Sequence, residues 1–284
     1  MKIGVDEYKA IRKNLSNIKD LDKFNYPRGI LHSILLQKKV DYTRKNYHRF
    51  ASRIDEVVKI WKSEKKFPEW LKLTPAMKLR LLLKGLGYRG VDFEDLGKFD
   101  EDLRRYAWKA LTEDYVYSPI ATKIQAAKGE IGEKLLLNFV DELGVDYKTE
   151  KELKGKTPDV LFVEPVKIFG KEVRWIESKA FFADQRIHEF YETRQYSHYR
   201  KIFGEGLVVY WFGSTDQLDV LTYSDFDLKD RNFLEMKLKV RKKEKGDPID
   251  QVKKAVESFR KGKKSISCSK RAAKILKNMG FLIF

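Results

Sequence analysis

Apolar positions recur at three- and four-residue spacing over the first 117 residues. Ile30, Leu31, Ile34 and Leu35 make one helical stripe, and Phe50, Ile54, Val57, Val58 and Trp61 make another. Thr74-Pro75 reads as a helix start, with Thr as the cap and Pro in the first turn. Met77, Leu79, Leu81 and Leu82 carry that helix toward Gly85 and Gly87, where it stops. Asp100 opens a further helix through Leu103, Tyr106, Ala107 and Leu111. Helix-turn-helix modules and a plain helical bundle share this pattern.

From residue 118 the pattern changes. A helix with Ile124, Leu135, Leu136 and Phe139 gives way to a period of two. Leu161, Val163 and Ile168 are strand formers, and Phe169-Gly170-Lys171 is a turn candidate, so the segment predicts a β-hairpin. An aromatic-rich helix follows around 186–202. The run Leu207-Val208-Val209-Tyr210-Trp211-Phe212, ended by Gly213, lacks alternation and predicts a strand buried on both faces. Helices interleaved with strands predict an α/β domain with a mixed central sheet. After residue 226 come a basic strand-like piece at 236–241 and a break at Gly246-Asp247-Pro248. Two amphipathic helices follow, one carried by Ile249, Val252, Ala255, Val256 and Phe259, the other by Ala272, Ile275 and Leu276. Ser265-Ile266-Ser267 offers cap residues between them. The expected division is a helical region at 1–117, an α/β domain at 118–225 and a basic extension at 226–284.

A hydrophobic content of 42% supports a true core in this 284-residue chain. Net charge is +17, which puts polyanions first among partners; a solvated Lys/Glu surface would give the same total. The charge is concentrated: residues 229–284 hold 18 Lys/Arg against 6 Asp/Glu, or +12 of the +17. A single cysteine, Cys268, permits no disulfide framework, so a reducing, cytoplasmic setting is expected. No stretch resembles a signal peptide and no apolar run reaches membrane-spanning length, so no membrane partner is expected.

The candidate chemistry lies in Thr157-Pro158-Asp159 and Glu177-Ser178-Lys179. Folding the hairpin about its turn brings Asp159 and Glu177 side by side at its open end. Strand alternation puts Glu177 and Lys179 on one face and Ile176, Ser178 and Ala180 on the other. Two carboxylates and an ammonium then converge, which suits a Mg²⁺-dependent (or Mn²⁺-dependent) phosphodiester hydrolase. Such a reaction needs an activated water, neutralised transition-state charge and a stabilised leaving oxygen. Asp159 and Glu177 are the expected metal ligands, joined by the Ser178 backbone carbonyl, because Mg²⁺ takes hard oxygen donors. Lys179 is expected to orient water or stabilise charge. A further carboxylate is expected from the preceding helix, with Glu133 preferred because it sits among apolar positions, and Glu130 solvated. Gly129 and Gly132 each cost that helix roughly 1 kcal/mol, which suggests close approach to the sheet or to a phosphate, or else a surface turn. Gln195 and Tyr199 lie one helical turn apart, either reaching substrate together or divided between core and surface. Four histidines without metal-ligand spacing, no phosphate-binding G-x-x-x-x-G-K-S/T loop and no G-x-S-x-G elbow argue against zincins, P-loop enzymes and Ser-His-Asp hydrolases.

These strings resemble the PD-(D/E)xK nuclease superfamily, with Asp159 and Glu177-Ser178-Lys179 on its core motif and Gln195 and Tyr199 on its accessory Gln-x-x-x-Tyr motif. More narrowly, Thr157-Pro158-Asp159, Trp175-Ile176-Glu177-Ser178-Lys179-Ala180 and the run 203–213 resemble the TPD-motif family, which has archaeal and eukaryotic members. The resemblance implies a restriction-endonuclease-like fold, N-terminal helix-turn-helix modules, kinship with archaeal Holliday junction resolvases and metal-dependent nuclease activity. Asp184 also matches the family pattern, without an assigned role. The expected substrate is branched, flap or single-stranded DNA, cut by a homodimer if the protein is a junction resolvase. The competing expectation is a non-catalytic nucleic-acid-binding or adaptor protein on the same fold.

Overall fold

A computed structural model of the chain describes residues 1–88, 95–228, 231–241 and 245–284. In chain order the elements begin with β1 (Lys2–Ile3), α1 (Val5–Asn14), α2 (Arg28–Ala51), α3 (Ile54–Glu64), α4 (Pro75–Gly85), α5 (Glu101–Glu113) and α6 (Pro119–Leu143). There follow β2 (Tyr147–Thr149), β3 (Val160–Ile168), β4 (Lys171–Lys179), α7 (Gln185–Tyr191), α8 (Ser197–Phe203), β5 (Gly206–Tyr210), β6 (Ser214–Thr215) and β7 (Leu221–Thr222). The chain closes with α9 (Asn232–Glu235), β8 (Lys237–Val240), α10 (Pro248–Arg260), β9 (Ser265–Ile266), α11 (Lys270–Asn278) and β10 (Leu282–Ile283). Its contacts divide it into two compact units: Met1–Ile34 with Ala126–Glu235, and Leu35–Gln125 with Met236–Phe284. The residues of the 1–117 segment are therefore shared between the units, and those after 236 fall in the second.

The first unit is built on a mixed five-stranded sheet of order β2-β3-β4-β5-β7, as the pattern of helices and strands implies. β2, β3 and β4 pair antiparallel, whereas β4 with β5 and β5 with β7 run parallel. The predicted hairpin is β3–β4, and its two turn residues, Phe169 (φ 48°) and Gly170 (φ 81°), both lie in the left-handed region. That geometry matches the strand twist in a two-residue turn, and Gly170 adopts it without a Cβ penalty. Leu207 to Phe212 are buried throughout, as a strand covered on both faces requires.

On one side of the sheet Trp175, Val208 and Tyr210 pack with Tyr196 and Tyr199 of the α7–α8 segment. On the other side α6 comes close enough that a Cβ at Gly132 would stand 2.5 Å from the Trp211 ring, whereas one at Gly129 would meet nothing within 4 Å. The helix propensity lost at Gly132 is thus the cost of seating α6 on the sheet.

In the second unit α3, α4 and α5 share a core that includes Val57, Trp61, Leu79, Leu82, Leu103 and Ala107. Thr74 stands at the N-cap of α4 but makes no side-chain cap bond. Buried Asp114 caps the helix in its place. Its Oδ2 accepts from the Ala76 N–H (2.7 Å), and its Oδ1 from the N–H groups of Val116 and Tyr117 (2.8 Å each). A carboxylate satisfies helix-start donors better than a hydroxyl because the bonds are charge-assisted. Asp100 caps α5 as the sequence predicts, accepting from Leu103 N–H at 2.8 Å. The connection that a helix-turn-helix would need between α4 and α5 includes 89–94, outside the described residues.

The basic C-terminal residues of this unit are folded. β8 lies between β10 and β9 in a parallel sheet, and α10 and α11 present buried faces through Val252, Val256, Phe259, Ile275 and Leu276. Ser269, rather than Ser265 or Ser267, caps α11, because Ser265 and Ile266 are taken into β9. The Asn278 side-chain amide donates to the Thr112 carbonyl at 3.2 Å, tying α11 to α5. Cys268 is buried. Among the described residues no helix is long and apolar enough to cross a membrane.

Candidate active site

The register of the hairpin sets the site. Val160 pairs with Ile176, so the next residues outward, Asp159 and Glu177, stand opposite one another. Asp159 Oδ2 accepts a hydrogen bond from the Ser178 N–H at 2.7 Å. Lys179 Nζ donates to Glu177 Oε1 and lies 5.0 Å from the centre of the Tyr191 ring. The Glu177 side chain is only 4% exposed and that of Lys179 only 15%, so the pair is shielded from water. Glu177 Oε2 is buried with no hydrogen-bond partner. Ser178 points away, accepting from Trp211 Nε1 through its Oγ at 2.8 Å.

Burial raises the pKa of Asp159 to about 7, and repulsion from Glu177 adds to the rise; the Ser178 N–H and the Lys179 ammonium oppose it. Burial also raises Glu177, against the pull of Lys179. Two desolvated carboxylates and one ammonium form a site short of positive charge. A cation would relieve it: the orphaned Glu177 Oε2 and an all-oxygen donor set fit a hard divalent ion. Among the described residues, no three His, Cys, Asp or Glu side chains are grouped to hold a metal, so the acidic pair stands as a pair.

Glu133 is exposed on α6 instead of docking among the apolar positions, because Gly132 takes the place facing Trp211 and the next residue is turned about 100° around the helix. Its charge still reaches the site weakly, as the smallest of the influences that shift Asp159. Glu130 is partly buried. Glu150, which the sequence pattern does not single out, adds negative potential at Glu177 and Tyr199. It is placed by β2, whose Thr149 pairs with Val160, and it opens a short 3-10 turn in which Glu152 accepts from Thr149 N–H and Oγ1 at 2.8 Å. The Thr-x-x-Glu capping spacing at 149–152 is the signal that marks this turn.

Gln195 and Tyr199 are not on one continuous α-helix. Glu192–Tyr196 is a π-helical turn between α7 and α8. Tyr199 donates through its hydroxyl to the Thr157 carbonyl at 2.8 Å, which anchors the turn carrying Asp159. Gln195 Oε1 is buried without a partner. Asp184 caps α7, accepting from Ile187 N–H at 2.8 Å, and also accepts from the Tyr8 hydroxyl at 2.7 Å. Also unforeseen is a hydrogen-bonded chain, buried at its Tyr196 end, in which the Tyr210 hydroxyl meets His188 Nδ1 at 3.1 Å and the Tyr196 hydroxyl at 3.0 Å. Tyr210 is the register partner of Lys179, so this chain backs the strand that carries the ammonium.

A family model described as a protein of unknown function with the TPD sequence motif matches residues 99–232. Among curated proteins, CDAN1-interacting nuclease 1 of Danio rerio is 34% identical over 132 residues, covering 45% of this chain and 44% of its own. The Homo sapiens protein of the same name is 35% identical over 124 residues, covering 42% and 44%. An uncharacterized protein, L539, of Acanthamoeba polyphaga mimivirus is 32% identical over 98 residues, covering 31% and 36%. The chain spans less than half the length of these curated relatives. No solved structure matches the chain. Asp159, Glu177 and Lys179 all fall inside the matched segment, so the part of the chain that is similar to the TPD-motif family is the part that carries the acidic pair.

Proposed function

We propose that the chain is a Mg²⁺- or Mn²⁺-dependent endonuclease of the PD-(D/E)xK type that hydrolyses DNA phosphodiester bonds. The observation that carries this reading is the facing pair Asp159 and Glu177 with Lys179 held on Glu177, buried and carrying an orphaned carboxylate oxygen. The name of the curated relatives, nuclease, supports the same class. Asp159, Glu177 and the Ser178 carbonyl would hold the ion, with Glu133 joining through water. Bound there, the ion would lower the pKa of a coordinated water and screen the phosphate. The chain's own contribution is positional. Tyr199 fixes the turn bearing Asp159, the Ser178 N–H aims the Asp159 carboxylate, and the Lys179 ammonium stands where charge would build on a scissile phosphate. Tyr191 and Phe203 stand on the α7–α8 side of the sheet, where unpaired bases could stack, which favours branched, flap or single-stranded substrates. A junction resolvase would act as a symmetric homodimer.

The test is cleavage of labelled junction, flap, splayed-arm, single-stranded and RNA substrates with Mg²⁺, Mn²⁺ or chelator, repeated with Asp159→Ala. Metal-dependent cleavage lost in the variant supports the proposal. Binding that is unchanged by metal, with no cleavage of any substrate, overturns it. That outcome would favour the non-catalytic reading.

A further inference from the structure

The second unit holds a cleft of about 630 Å³ lined by α5, the end of α3 and α11. Its size is within the range of ligand-binding pockets. Lys65, Lys109, Arg271 and Lys274 line it, and among the described residues none of these four forms an ion pair. The acids present are Asp102, already paired with Arg105 at 2.6 Å, and Glu113. The cleft thus carries a cationic excess contributed by three separate parts of the chain, the end of α3, α5 and α11. On its wall Trp108 is 36% exposed although it lies on α5, whose opposite face is buried through Leu103, Ala107, Ala110 and Leu111. Part of the indole is thus left in water beside these cations.

We propose that this cleft binds a single-stranded nucleic-acid segment, with Trp108 stacking on a base and Lys65, Lys109, Arg271 and Lys274 facing phosphates. Flat aromatic surface next to unneutralised cations is the combination that strand binding without sequence readout requires. A duplex would hide its base faces from Trp108, and an acidic peptide would leave the indole unused. The inference deepens the nuclease reading by naming a strand-holding site apart from the acidic pair, and it rests on that reading only for the choice of a nucleic acid as the polyanion.

The experiment is binding of a labelled oligothymidine to the full chain in chelator, where no cleavage can occur, so its result is independent of whether the acidic pair is catalytic. Arg271→Ala/Lys274→Ala should flatten the dependence of log affinity on log salt by about 1.4, roughly 0.7 for each phosphate no longer neutralised. Trp108→Ala should weaken binding on the order of tenfold and abolish quenching of tryptophan fluorescence by the oligonucleotide. Circular dichroism must show each variant folded, and Trp108→Phe serves as a second variant that keeps an aromatic ring and should retain most affinity while losing the quench. Unchanged salt slope and unchanged quenching in folded variants would overturn the proposal, as would duplex DNA or poly-glutamate competing as well as the single strand.

Discussion

The two units present opposite electrostatics. In the first, two desolvated carboxylates face each other across a hairpin, an arrangement that repels phosphate by itself. In the second, a partly exposed indole and four cations that form no ion pair among the described residues line a cleft, an arrangement that attracts phosphate. The difference teaches that net charge says little about where chemistry occurs. The net charge of the whole chain is +17, and the acid pair runs against it.

The sharpest way to break this contrast is to remove an acid. Glu177→Gln or Asp159→Asn is expected to cut metal-dependent cleavage by on the order of 10³-fold while leaving oligonucleotide binding in chelator equal or tighter, since a charge that repels phosphate is gone. Equal loss of binding would mean the two functions are not separable. Next in size is Lys179→Met, expected to lower the cleavage rate by about 10²-fold with little effect on the substrate concentration giving half-maximal rate.

Stability against pH tests the acid pair without substrate. The folded-state pKa of Asp159 is raised to about 7, so between its ordinary value near 4 and about 7 the native state binds the extra proton. Stability should therefore fall as pH rises through that window. Asp159→Asn should reduce the slope, with Glu177 supplying what remains, and leave the variant more stable at pH 8 by about 1–2 kcal/mol, measured by chemical denaturation at several pH values. A variant less stable than the parent at pH 8 would refute the repulsion. Lys128 gives an opposite slope. It is buried, with Nζ 3.1 Å from His32 Nδ1, and burial lowers its pKa to about 7. The unfolded chain then binds more protons from pH 7 to about 10.5, so stability should rise across that window. Lys128→Met should erase the rise. The smallest expected effect is Tyr199→Phe, which loses one hydrogen bond to Thr157 and should slow cleavage severalfold, with about 1 kcal/mol of stability lost.

The hairpin is legible in the sequence because its signals are local: alternation, a Gly-containing turn and an acid at each open end all lie within about twenty residues. Glu133 is misplaced by the same reading because apolar periodicity marks the docked face of α6 but not the glycine that meets Trp211. Asp184 is visible as a matching residue, yet its bond from Tyr8 joins positions 176 residues apart, which no spacing rule encodes. Asp114 replacing Thr74 as the α4 cap, and the folding of the basic residues after 236 against α5, are likewise long-range events. The cleft with Trp108 is invisible for the same reason, since its cations come from the end of α3, α5 and α11.

The π-helical turn at Glu192–Tyr196 carries one residue more than an α-helix would use over the same length. That surplus is absorbed by the wide turn: winding the same five residues as α-helix would swing every following side chain by about 100°. Tyr199 would leave the Thr157 carbonyl, and the acid across the hairpin would lose its brace although no residue of the acid pair had changed. Removing one residue from the turn restores the α-helical phase, so a single deletion there should be tolerated better than one inside α8.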